Sequence, residues 1–301
     1  MEMRLTLLLA AIFAAPVSVH GAEPLEIVRE AFRTSSKGLT SGIGTGRYRH
    51  YEAIPGGDWQ LKIDAELLAR FEGRRYHIDL TFARDEMRKL DSRRIIYDGG
   101  AVTDAFFTPT AHPTGVHARI FTPENDGRGL ARGAWGDFPW DVTNLAKNVW
   151  DPEDLIKNLG AGRIEIKETP EGDLVGSFSH INENGERVGS VRFECPRRFG
   201  FNLATEQVFN RGEDHPARVS NLQWKQAPDG LWYVTSLLVT YEMRNENRTV
   251  GLVRAVMMYS RFEPNAKVEP SLFTEKSLQL PAGTPIVDVR PGAIKGGPQT
   301  R

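Results

Sequence analysis

The chain has 301 residues, of which 40% are hydrophobic, and a formal net charge of −1 from 38 basic and 39 acidic side chains. This apolar content is enough for a buried core, and the length is compatible with one large β-domain. Because the net charge is near zero, nothing favours a nucleic-acid partner or an anionic membrane surface, and we expect neither.

The first 21 residues have the features of a secretory signal peptide. Arg4 precedes the apolar run LTLLLAAIFAAPV, which is followed by the small and polar residues SVHGA. The run is shorter than the ~20 residues of a membrane-spanning helix, so an uncleaved anchor is the less favoured alternative. We expect cleavage after Gly21 or, nearly as well, after Ala22. No cysteine directly follows that site to carry a lipid, and the expected location is the periplasm or the exterior.

A helix and a long hairpin are predicted next. Residues 24–32 place Ile27, Val28, Ala31 and Phe32 on one helical stripe. From residue 59 to 71 every odd position is apolar and nearly every even one is polar, which predicts a half-buried strand. After a reversal at 72–74 the alternation resumes to residue 82. The hairpin thus presents one apolar face, formed by Trp59, Leu61, Ile63, Leu67, Phe71, Tyr76, Ile78, Leu80 and Phe82.

The rest of the chain predicts further strands around one insertion. Asp98-Gly99-Gly100 predicts a second hairpin, between 93–97 and 101–106. Residues 107–141 are rich in proline and glycine and predict a long loop with an aromatic end, and 143–160 predicts two short helices. Residues 163–262 predict strands joined by short turns, about eleven or twelve strands in all, without βαβ alternation. The last ten residues are expected to be disordered.

No motif of catalysis or cofactor binding is present, and we expect no catalytic residue, cofactor or metal. The glycines at 42–46 lack the following helix that a nucleotide loop needs. His112 and His117 share a predicted loop with no fixed geometry. Asp64 and Glu66 lie on the polar side of their strand, where a solvated surface is favoured over a glycosidase pair. Cys195, the one cysteine, is expected to be a buried apolar side chain.

The order of these parts resembles the LolA-like superfamily. That group includes periplasmic carriers of outer-membrane lipoproteins, LppX-like lipid binders and RseB-like envelope stress sensors. The resemblance is carried by the helix at 25–32, by FEGRRYHIDL at 71–80 within the first hairpin, by RRIIYDGGAV at 93–102 and by DGLWY at 229–233. It implies a β-half-barrel domain over residues 22–265, followed by an extended C-terminal segment over residues 266–301.

The fold class implied is mainly β: a strongly curved antiparallel sheet forms an incomplete barrel, lidded by the N-terminal helix and the mid-chain helices. In this family the concave apolar face holds acyl chains. The resemblance therefore implies that the apolar face of the first hairpin lines the ligand site. It also implies that aromatic side chains of the insertion lie in or under the lid, namely Trp135, Phe138, Trp140 and Trp150.

The function implied is non-enzymatic binding of a lipid or an acylated protein partner. Acyl chains suit such a face, since burying each CH₂ contributes ~0.8 kcal/mol without polar partners. Two alternatives stay open, an RseB-like protein-interaction or sensor module of the envelope and a secreted hydrolase with an unrecognised site. From the alternation alone, a filled core is the other interpretation of the apolar face.

Overall fold

The computed structural model describes residues 23–86, 89–108, 115–122, 164–181, 186–245, 248–288, 290 and 299–300. These residues form one 15-stranded sheet. The helix α1 spans Pro24–Gly38. The strands are β1 (Ser41–Ala53), β2 (Gln60–Glu72), β3 (Arg75–Asp85), β4 (Ser92–Tyr97), β5 (Val102–Phe107), β6 (Val116–Phe121), β7 (Glu165–Glu168), β8 (Leu174–Ile181), β9 (Arg187–Cys195), β10 (Thr205–Asn210), β11 (Arg218–Gln226), β12 (Trp232–Asn245), β13 (Arg248–Pro264), β14 (Pro285–Asp288) and β15 (Gln299–Thr300).

The sheet is curved and does not close on itself. Its strand order is β15-β14-β6-β5-β4-β3-β2-β1-β13-β12-β11-β10-β9-β8-β7, so that β15 and β7 form its two edges. All neighbours pair antiparallel except β14 with β6. The expected fold class is confirmed: a mainly β, open and curved antiparallel sheet with a helix near the N-terminus.

The helix α1 follows the predicted stripe. Pro24 occupies its first turn, where the missing N–H costs nothing. Val28 and Phe32 are buried in the same cluster as the strands. At its last turn, the Ser35 hydroxyl donates a buried hydrogen bond of 2.9 Å to the Asn202 side-chain oxygen. The helix is thereby attached to the connection between β9 and β10.

Both predicted hairpins are confirmed. β2 and β3 are joined at Gly73, whose φ of 55° suits glycine, and Phe71 pairs with Tyr76 beside the turn. β4 and β5 are joined by the predicted Asp-Gly-Gly turn. There the Asp98 carboxylate accepts 2.8 Å hydrogen bonds from the N–H groups of Gly100 and Ala101.

Several predicted boundaries are wrong. The glycines at 42–46 lie within β1 itself, and residues 116–121, predicted as loop, form β6. The described sheet has 15 strands, more than the eleven or twelve predicted. Gln299 and Thr300 form β15, which pairs with β14. Part of the predicted insertion lies outside the described residues. This part contains the mid-chain helices and the side chains of His112, Trp135, Phe138, Trp140 and Trp150.

The sheet has two differently covered faces. We call the face that carries Ile63 and Leu67 the inner face; its side chains form one buried cluster with α1. The opposite, outer face carries a smaller cluster, in which Leu278 and Ile286 of the C-terminal segment pack with Ile96 and Ala105. No helix within the described residues is long and apolar enough to cross a membrane.

Candidate ligand-binding face

The inner face brings together seven of the side chains predicted to line a ligand site. The cross-strand pairs Phe71–Tyr76, Ala69–Ile78, Leu67–Leu80 and Ala65–Phe82 put β2 and β3 in phase. Phe82 is half-buried and packs against the inner cluster. Each of the other six is at most 4% exposed: Ile63, Leu67, Phe71, Tyr76, Ile78 and Leu80.

The two other described members of the predicted set, Trp59 and Leu61, lie on the outer face. His50 of β1 pairs with Ile63 and Tyr51 pairs with Leu61, which makes Lys62 an extra residue in a bulge. The bulge reverses the phase of the strand, so the shared face predicted for residues 59–71 is wrong before Ile63. The Trp59 ring lies on the outer face, 4.1 Å from the Arg254 guanidinium carbon.

The glycines of β1 lie beneath the rings of an aromatic cluster, which consists of Phe71, Tyr233, Tyr259 and Phe262. Phe262 lies with its ring centre 5.0 Å from that of Tyr233 and 5.3 Å from that of Tyr259. A Cβ at Gly44 would lie 2.3 Å from the Tyr259 ring. The glycines thus permit close packing of rings on the backbone, which agrees with the rejection of a nucleotide loop.

A charged cluster interrupts the apolar inner face across β4, β5 and β6. The Arg93 guanidinium donates two 2.8 Å hydrogen bonds to the Asp104 carboxylate, and both side chains are 1% exposed. Arg119, which is less buried, donates two more, of 3.0 and 3.3 Å. Burial alone would raise the pKa of Asp104, but the neighbouring arginines outweigh it and hold this pKa below its ordinary value. The Phe106 ring lies beside both guanidiniums.

A second polar group of the inner face lies on β10 and β11. Glu206 pairs directly with Ser220, and these residues are 9% and 0% exposed. One row of cross-strand pairs continues from Ser220 through Val239 and Ala255 to His50 and Ile63. Glu206 and Ser220 therefore share the inner face with the predicted lining residues.

Sequence reasoning missed both polar groups. In β10 the residues TEQVFN show no clean alternation, because Phe209 is buried on the outer face while Val208 packs on the inner one. The sequence indication that was available is Ser220, which alternates in phase with Leu222 in β11. For Arg93 and Asp104, the only indication in the sequence was that each is a charged residue inside a predicted strand of the second hairpin.

The outer face behaves as predicted for Asp64. This carboxylate accepts two 2.6 Å hydrogen bonds from Arg47, which lower its pKa from the ordinary value. It is thus the ion-pair partner of Arg47. Nearby, a cavity of about 680 Å³ on this face is lined by polar side chains such as Glu66 and Thr81 and by apolar ones such as Leu68 and the half-exposed Met258.

Cys195 is confirmed as a buried strand residue, with 0% of its surface exposed. Burial raises the pKa of its thiol well above the ordinary value, which keeps it protonated and unreactive. Within the described ranges, no three histidine, cysteine or carboxylate side chains are grouped as metal ligands.

No protein-family model and no curated protein matches the chain. Similar solved structures include a DUF1329 family protein from Desulfovibrio piger, at 10% identity over 85% of this chain and 98% of that one, with a TM-score of 0.47. A putative outer membrane lipoprotein-sorting protein domain from Vibrio parahaemolyticus is 13% identical over 85% and 97%, with a TM-score of 0.46. The lipoprotein LppX from Mycobacterium tuberculosis is 9% identical over 82% and 100%, with a TM-score of 0.28.

At these identities and TM-scores, the similar structures assign neither a family nor a function to this chain.

Proposed function

We propose that this protein is an exported, non-enzymatic binder of acyl chains, carried by a lipid or a lipid-modified protein, and that its inner face is the binding surface. The observation that carries the proposal is the extent of the apolar cluster. It runs along one face of an open, curved sheet from Phe121 on β6 to Phe178 on β8.

Acyl chains match this surface chemically. Burial of an alkyl chain contributes ~0.8 kcal/mol per CH₂ and requires no directional partner, so a long apolar face can supply the affinity. The aromatic cluster and the flanking aliphatic side chains give that face a mainly apolar centre. The two polar groups of the inner face lie to either side of it, at β4–β6 and at β10–β11.

The first test is native mass spectrometry of the protein purified from its own envelope, followed by lipid extraction. A co-purifying acyl species is expected. Delipidated protein is then titrated with a fluorescent fatty-acyl probe. A clean apo mass together with no probe uptake overturns the proposal and favours the protein-interaction alternative.

A matched pair of variants locates the binding surface. Phe82→Gln changes a half-buried inner-face residue, whereas Met258→Gln changes an outer-face residue that is 52% exposed. Probe affinity is expected to fall about tenfold in the first variant, because one aromatic contact is lost. It is expected to stay unchanged in the second. Thermal unfolding of both variants shows that each is folded, and equal affinities would contradict the inner-face assignment.

A further inference from the structure

Glu206 and Ser220 are polar side chains buried on the inner face, 9% and 0% exposed. Within the described part of the protein, the buried Ser220 hydroxyl oxygen has no hydrogen-bond partner. Leaving a buried donor or acceptor unsatisfied is costly, so natural proteins rarely keep one without a use. The direct cross-strand neighbour of this hydroxyl is the carboxyl of Glu206.

We propose that Glu206 and Ser220 together bind the ester or amide carbonyl that joins an acyl chain to its headgroup. This inference rests on the proposed function and names the ligand class: neutral acyl esters or amides, in preference to free fatty acids.

The position of the pair fits the junction of such a ligand. Within its own row, Glu206 pairs with Phe193, and Ser220 pairs with Val239, both members of the apolar cluster. The next inner-face row holds Val208 paired with Arg218, and beyond it the reversal between β10 and β11 is exposed at residues 211 and 212. An acyl chain on the apolar cluster would thus place its carbonyl at the pair and direct its headgroup past Arg218 towards this exposed reversal.

The chemistry of the pair selects a carbonyl oxygen. Burial raises the pKa of Glu206, which favours the protonated carboxyl, and Arg218 only partly opposes this. A protonated carboxyl and a hydroxyl are two donors, and a carbonyl oxygen has two lone pairs to accept them. An amine headgroup is disfavoured here by the charge of Arg218. A free carboxylate is disfavoured by repulsion whenever Glu206 is ionised.

The test compares two ligands that differ only at the carbonyl: 1-oleoylglycerol, an ester, and 1-O-oleylglycerol, its ether analogue. Delipidated wild-type protein is titrated with each by calorimetry. The ester is expected to bind about tenfold more tightly, because the ether leaves both donors unsatisfied. If wild type binds both alike, the inference is overturned while the proposed function stands. If it binds neither, both fail.

Three variants tie the preference to the pair. Glu206→Leu is expected to reduce the ester preference to less than about twofold, whereas Glu206→Gln, which keeps a donor, retains it. Gln207→Leu, on the outer face of the same strand, is the matched control and also retains it. If Glu206→Leu keeps the full preference for the ester, and its thermal unfolding shows that it is folded, the inference is wrong.

A second readout separates binding from a structural role. The carbonyl stretch of ¹³C-labelled ester, measured by infrared spectroscopy in the complex, is expected at lower frequency in wild type than in Glu206→Leu. Equal frequencies in the two complexes would also overturn the assignment.

Discussion

The guanidinium of Arg93 and the carboxylate of Asp104 form two hydrogen bonds of 2.8 Å inside the sheet, with each side chain 1% exposed. The pair connects two adjacent strands of the second hairpin, and Arg119 binds the same carboxylate from β6. Since a buried ion pair is costly to break but not always stabilising relative to apolar residues, its energetic role can be measured by changing one partner or both.

Asp104→Leu is expected to destabilise the protein by about 3–5 kcal/mol, because Arg93 is left buried without its carboxylate. In the double variant Arg93→Met/Asp104→Leu most of that loss should be recovered, since no buried charge of the pair remains. Urea unfolding at neutral pH gives both values. If Asp104→Leu is as stable as wild type, loss of the carboxylate does not leave Arg93 as a costly unpaired charge in the sheet.

The same carboxyl makes stability depend on pH in acid. The pKa of Asp104 is lower in the folded protein than in the unfolded chain, so its contribution is complete above the unfolded value of ~3.9. The contribution is lost as the pH falls through the lower, folded pKa. The stability difference between wild type and Asp104→Asn should therefore shrink between pH 5 and pH 2, as followed by urea unfolding. A constant difference over that range would contradict the assignment.

Gly46→Ala should destabilise the protein by about 1–3 kcal/mol, because the added methyl group would overlap the backbone of the neighbouring strand, which cannot rotate away as a side chain could. Its Cβ would lie 2.1 Å from the carbonyl oxygen of Met258 on the neighbouring strand. Gly100→Ala is the control, since its Cβ would meet only the Asp98 carboxylate, at 3.7 Å. Thermal unfolding distinguishes the two, and equal melting temperatures would argue against close packing on β1.

Trp59→Leu tests the bulge in β2. Trp59 lies on the outer face against Arg254, so the variant should bind an acyl probe with an affinity within about twofold of wild type. Loss of an aromatic contact with the acyl chain of the probe would reduce the affinity by more than that. The measurement is the same probe titration used for Phe82→Gln. A loss of affinity as large as in that variant would return Trp59 to the ligand site.

Much of the fold was predictable because its signals are local. The apolar stripe of α1 and the period-2 pattern of Ile63–Phe71 depend only on residues close in sequence, and the Asp98-Gly99 turn depends on which residues tolerate positive φ. The seven side chains from Ile63 to Phe82 were therefore assigned to one face correctly. Trp59 and Leu61 were not, because one extra residue in a bulge reverses the phase and leaves no mark in the hydrophobic pattern.

The sequence by itself determined the strand-rich class, the helix and the near hairpins, since short-range periodicity and turn chemistry specify them. Only the tertiary structure decided which distant residues meet. His50 pairs with Ala255 through the register of strands whose order no local pattern encodes. Register follows from packing the whole inner face at once, so the polar groups that distinguish this face emerged only when the sheet was assembled.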